Sequence, residues 1–145
     1  MDHGEPGLSA RPRGILFLCV ANSSRSQIAE GLARAMSGDG IRIESAGSAP
    51  ATVQPLALRV LAEIGIDHAS ARSKHWSSVP LEGIDLIVTL CAEEVCPVVP
   101  GSIRRLHWAL PDPAAATGSE DERLAAFRSV REELESRLRE LLQRA

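Results

Sequence analysis

A cysteine and an arginine six positions apart, Cys19 and Arg25, have the spacing to trap a tetrahedral oxyanion and attack it. They sit in the run Ile15 to Gly31, ILFLCVANSSRSQIAEG, which reads as a buried apolar strand over Ile15 to Leu18, a loop, and an amphipathic helix. A loop as short as Val20, Ala21, Asn22, Ser23 and Ser24 must curl so that its backbone N–H groups point inward, forming a nest for an anion. The following helix adds the positive end of its dipole at the same point. That field favours the reactive thiolate of Cys19 and lowers its expected pKa. Arg25 can hold two oxygens of the anion through its planar fork. Taken singly, the residues have plainer roles. Cys19 serves as a small buried hydrophobe, Asn22 as a turn residue tolerant of positive φ, and Ser24 with Gln27 as a helix capping box. Ser26 is either a first-turn polar residue or a hydroxyl bonded to the thiolate. Together, at a strand-to-helix transition, they read as a nucleophilic anion site.

Two more cysteines fall in Thr89 to Pro97, TLCAEEVCP. Three chemistries are open to Cys91 and Cys96: a redox pair, part of a zinc site, or inert buried thiols. Structural zinc wants four ligands, and His3, His68, His75 and His107 have no metal-ligand spacing, so no metal is expected. Residues five apart on an α-helix have Cα atoms roughly 8–9 Å apart. A disulfide tolerates less than about 7 Å. If Cys91 and Cys96 bond, any helix between them must unwind and expose the disulfide to an external reductant. Asp112, between Pro111 and Pro113, is by itself an Asx-turn former.

The elements that position these groups alternate. Strands are expected at Ile15 to Leu18, Ile41 to Ser45, Asp85 to Leu90 and Ile103 to Leu110. Helices are expected at Gln27 to Met36, Pro55 to Ile64, and from the Ser119–Glu122 capping box through Leu141. That βαβαβ order implies an α/β fold, a four-stranded parallel sheet with helices on both faces, Rossmann-like in kind. Sites in such sheets lie at the carboxyl ends of the strands, and Cys19, Cys91 and Asp112 all follow strands.

The chain has 145 residues, 44% apolar and 24% charged, which describes one globular domain with a normal core. Residues 1–13 read as a disordered lead-in and 14–145 as the single domain. No apolar run reaches the roughly 20 residues of a membrane span, and the N-terminus has no signal-peptide character. A net charge of −3 argues against nucleic acid as a partner. Three cysteines without a secretion signal point to the cytoplasm, and the odd number suits a relay better than a static framework.

The anion loop resembles that of the low-molecular-weight protein tyrosine phosphatases, and more closely that of their relatives, the thioredoxin-coupled arsenate reductases. The family loop reads Cys-x-Gly-Asn-Ser-Cys-Arg-Ser-Gln-x-Ala-Glu-Gly. Cys19, Asn22, Ser23, Arg25, Ser26, Gln27, Ala29, Glu30 and Gly31 match it, while Ala21 replaces Gly and Ser24 replaces Cys. Thr-Leu-Cys91 and Cys96-Pro also match the reductases, with four residues between the cysteines where about six are usual. The resemblance implies that Asp112 is a general acid above the anion. It further implies that Cys19, Cys91 and Cys96 pass a disulfide along to thioredoxin, or to glutaredoxin with glutathione, while reducing arsenate to arsenite without a cofactor. The alternatives are a phosphatase working through a phospho-cysteine and an oxyanion sensor with a dead site. Phosphatases line their slot with aromatic residues after Asp-Pro; here Ala114, Ala115 and Ala116 follow, and the chain has no tyrosine.

Some reductases of this family hold potassium beside the loop with an Asn, a Glu, a Ser and an Asp. Asn22, Glu30 and Ser45 take the first three places, and Lys74 falls at the fourth. An ammonium group there would neutralise Glu30 in place of the metal, or else lie solvated at the surface. Both readings imply no need for potassium.

Overall fold

The structure, a computed structural model, describes residues 11–38, 40–92 and 95–143. Residues 1–10 of the expected lead-in lie outside the described residues. Seven regular elements follow one another. They are β1 (Gly14–Leu18), α1 (Arg25–Ser37), β2 (Arg42–Ala46), α2 (Pro55–Ala62), β3 (Leu86–Thr89), β4 (Arg104–His107) and α3 (Glu120–Leu142). The four strands form one parallel sheet in the order β2-β1-β3-β4. β1 is central, and every residue of it is buried, as its unbroken apolar run requires.

Alternate residues of the sheet build two cores. Ile15, Phe17, Ile43, Leu86 and Val88 face α1, α2 and α3 through Ile28, Leu32, Val60, Leu61, Phe127 and Leu134. Leu16, Leu18 and Ile87 face the other way, onto Val79, Ile84 and Val99. All three α-helices therefore lie on one face. The second covering layer, expected to be helical, is a short 3₁₀ turn at Trp76–Ser78 with irregular chain. That stretch carries too few apolar positions at helical spacing to form more.

The long helix starts as its sequence dictates: Ser119 Oγ accepts from Glu122 N, and Glu122 Oε1 accepts from Ser119 N. α3 is fastened to α2 by Arg128 and Arg131 on Glu63. Arg128 is the main cause holding the Glu63 carboxyl down at about 2. Strand β4 ends at His107, three residues short of the expected Leu110, although Trp108 and Leu110 still donate to the carbonyls of Thr89 and Leu90. No helix among the described residues is long and apolar enough to cross a membrane.

The register puts Leu18, Thr89 and His107 level at the carboxyl edge. β1 and β3 are neighbours there, and the chain leaves β1 towards β2 on the opposite side. Such a switch point opens a crevice at the strand ends. Cys19 begins in it.

Candidate active site

The carbonyls of Val20 to Ser23, in the loop after β1, are each held by a donor from beyond the loop. Val20 O accepts from Ala49 N, Ala21 O from Ala51 N and Ser73 Oγ, Asn22 O from Gln27 Nε2, and Ser23 O from Gln54 N. In a trans peptide the carbonyl and the next N–H point in opposite directions. Carbonyls fixed outward therefore turn the N–H groups inward. Among the described residues none of the N–H groups of Val20 to Ser24 has a protein acceptor. This is a nest able to bind an anion at the start of α1. Gly47 lets the neighbouring chain come this close, since a Cβ there would lie 2.3 Å from Val20 O.

Asn22 is the one non-glycine described residue with positive φ, at 50°. That conformation costs about 1–2 kcal/mol. Its hydrogen bonds, each contributing about 0.5–1.5 kcal/mol net, outweigh the cost. Lys74 N donates to Asn22 Oδ1 at 2.9 Å, which turns Nδ2 toward Ser26 Oγ at 2.7 Å and Ser45 Oγ at 3.0 Å. Ser26 Oγ accepts from Asn22, so its own proton is free for Cys19 Sγ, 2.8 Å away. The Ser26 hydroxyl is thus placed to donate to the Cys19 sulfur, the second of its two sequence-based roles. Ala21 keeps an ordinary backbone.

Ser24 caps α1 in position but makes no side-chain cap bond, so the expected capping box with Gln27 does not form. Its hydroxyl is buried and has no hydrogen-bond partner. In a loop of inward N–H groups, that hydroxyl is a further donor for a bound oxyanion. Arg25 is 4% exposed. Its guanidinium donates to Leu110 O at 3.0 Å and Leu90 O at 3.4 Å, and it lies 4.0 Å from the Asp112 carboxylate. Asp112 is half-buried and also forms the Asx turn, accepting from Ala114 N at 3.0 Å.

Cys91 and Cys96 form a disulfide with Cα atoms 5.6 Å apart, and Cys19 is a free buried thiol. The described residues between 91 and 100 are not helical. Cys96 Sγ lies 3.8 Å from Leu18 O, and Leu90 N donates to that same carbonyl. The pair therefore lies at the end of β1, one residue from Cys19. Among the described residues no cluster of His, Cys, Asp and Glu is set to hold a metal ion.

The expected partner of Glu30 needs correcting. Lys74 Nζ pairs with Glu44 at 3.7 Å. Glu30 is neutralised instead by Arg34, whose Nε lies 2.9 Å from Oε2. The other oxygen accepts from Ser45 Oγ at 2.5 Å. Arg34 thus supplies at Glu30 the positive charge for which Lys74 was expected. Sequence reasoning missed Arg34, although an i,i+4 Glu–Arg pair on a helix is a readable signal. It also missed the carbonyl holders Ala49, Ala51, Gln54 and Ser73, for which no local signal exists.

The pattern of the low molecular weight phosphotyrosine protein phosphatases matches residues 14–145. The chain belongs to this family. Within it, the chain is 43% identical over 128 residues to an arsenate reductase of Bacillus subtilis (strain 168), covering 87% of this chain and 92% of that one. It is 42% identical to an arsenate reductase of Halalkalibacterium halodurans, covering 86% and 91%. Among solved structures, an arsenate reductase from Archaeoglobus fulgidus superposes with a TM-score of 0.75 at 36% identity, over 88% of this chain and 98% of the other. A thioredoxin-dependent arsenate reductase of Corynebacterium glutamicum gives 0.68 at 31% identity, over 92% of this chain and 61% of that one. The phosphatase fold, in these relatives, carries reductase names.

Proposed function

We propose that this member of the phosphatase family reduces arsenate to arsenite, with Cys19 as nucleophile and Cys91 and Cys96 as the relay. One observation carries the reading: a disulfide pair lies beside the free Cys19 thiol at the edge of an anion nest. Phosphoryl transfer would use Cys19, Arg25 and Asp112 and leave that pair without a task. The relatives named arsenate reductase support the same choice.

The N–H groups of Val20 to Ser24 and the Arg25 fork hold the arsenate oxygens. The Cys19 thiolate, steadied by the Ser26 hydroxyl, attacks arsenic, and Asp112 protonates the departing hydroxyl so that it leaves as water. Cys91 as thiolate then attacks the Cys19 sulfur. The electron pair of the S–As bond moves to arsenic, arsenic(V) becomes arsenic(III), and arsenite leaves a Cys19–Cys91 disulfide behind. Cys96 attacks Cys91, Cys19 returns as a thiolate, and the Cys91–Cys96 disulfide remains for an external dithiol. Phosphorus(V) does not accept that pair, so phosphate esters in the same nest are hydrolysed and not reduced.

The reductant is a thioredoxin-type dithiol protein, with glutaredoxin and glutathione as the other source, and the need for a reducing supply supports a cytoplasmic location. The test is arsenate-dependent oxidation of reduced thioredoxin, run beside hydrolysis of a small aryl phosphate. Turnover of thioredoxin only when arsenate is present is expected. Aryl phosphate hydrolysis without arsenate-dependent oxidation by either reductant would make the chain a phosphatase.

A further inference from the structure

We propose that His68 is a positioning residue for the anion loop, acting through the Gln27 side chain. Gln27 is fully buried. Its Nε2 donates to Asn22 O at 3.0 Å and to Arg72 O at 3.1 Å, which uses both amide protons. Oε1 must therefore face His68 Nε2, 2.9 Å away. An amide oxygen only accepts. The imidazole is thus held as the tautomer with its proton on Nε2. Burial holds His68 below the ordinary imidazole range against the opposing pull of Glu30, and either protonation state keeps the Nε2 proton.

This proton decides which way the Gln27 amide points. Without it, Oε1 is a buried acceptor with nothing to accept. An amide that flips to repair this turns its oxygen on two carbonyls and takes the donor away from Asn22 O. Asn22 is the strained residue of the loop and sets the proton of Ser26. Clefts of about 450 and 320 Å³ border His68, which is itself 9% exposed. His68 reaches no reacting atom. It acts over 41 residues of sequence by fixing an amide.

The inference rests on reading the loop as an anion site, and its test separates the two. The reduced protein is alkylated with iodoacetamide over a series of inorganic phosphate concentrations, and the Cys19 peptide is followed by mass spectrometry. In His68→Leu the half-protecting phosphate concentration should rise about five- to tenfold, the loss expected when a buried acceptor is orphaned. In His68→Gln, whose amide N–H reaches the same oxygen, it should return to within about twofold of wild type. Wild-type protection in His68→Leu, or failure of His68→Gln to restore it, overturns the inference. Should His68→Leu not fold, the nitrogen-15 spectrum of wild-type His68 decides: a proton on Nε2 supports the inference, and one on Nδ1 overturns it. Absence of phosphate protection in the wild type would overturn the reading of the loop itself, and the inference with it.

Discussion

The two cysteine-bearing loops at the carboxyl edge of the sheet are built on opposite plans. The Cys19 loop has its carbonyls pinned from the 49–54 stretch, from Ser73 and from Gln27 of α1, and is buried along most of its length. The described residues of the 91–100 loop form neither helix nor strand, and Val95 and Val98 are 87% and 80% exposed. Fixed donors stabilise developing charge best when they need not reorganise. A relay sulfur has to visit two partners in turn, and an irregular exposed segment opens at low cost. Within one disulfide the division repeats, since Cys91 is 1% exposed while Cys96 is only partly buried. The difference supports the proposed order, in which Cys91 faces inward and Cys96 meets the external reductant.

The largest break in that contrast is Cys19→Ser. It should abolish arsenate reduction and aryl phosphate hydrolysis together, because both need the same thiolate, and parallel assays of the two activities would check it. Cys96→Ser should instead spare the first chemical round. A stoichiometric arsenate pulse followed by peptide mapping is expected to find one arsenite per protein and a Cys19–Cys91 bond. A Cys19–Cys96 bond in the wild type would reverse the relay order. Arg25→Lys keeps charge in the rigid loop but loses the fork, and should cost about 10²-fold in kcat/KM.

A smaller effect sharpens the comparison by touching neither loop. Glu63, clamped by Arg128 and Arg131, has its folded pKa lowered from 4.5 to about 2. Its contribution to stability is present above pH 4.5 and is lost as pH falls through that window. Glu63→Gln should flatten the fall in melting temperature between those pH values and leave arsenate turnover unchanged. The smallest effect is a null one. Because Arg34 and Ser45 occupy both oxygens of Glu30, potassium should stimulate no more than sodium at equal ionic strength. Lys74→Ala should shift stability by about 0.5 kcal/mol or less, as for a surface residue. Specific potassium activation would mean that the Arg34 pair opens in solution.

What the sequence made legible follows from the range of each signal. The order of strands and helices was readable because periodicity is local, and the Ser119–Glu122 box formed as written. The nest was readable because Cys19 to Arg25 is contiguous. The start of α1 was set two residues late, since Arg25 and Ser26 look polar but are buried in the site. Aligning Lys74 with a family ligand located a Cα and said nothing of where its side chain reaches. The Gln27–His68 contact joins residues far apart in sequence through an amide's orientation, which no pattern of residue types encodes.

The chain has two tryptophans and no tyrosine, and the two tryptophans pack against opposite faces of the sheet. Trp76 N donates to Gly47 O, on the segment that presses against the anion loop. Trp108 N donates to Thr89 O, and the Trp108 ring lies under Arg137. Tryptophan emission therefore comes from two indoles, one packed on each face of the sheet. Replacing either by phenylalanine leaves a single tryptophan, so stopped-flow emission can follow each face of the sheet separately during turnover, with no label attached.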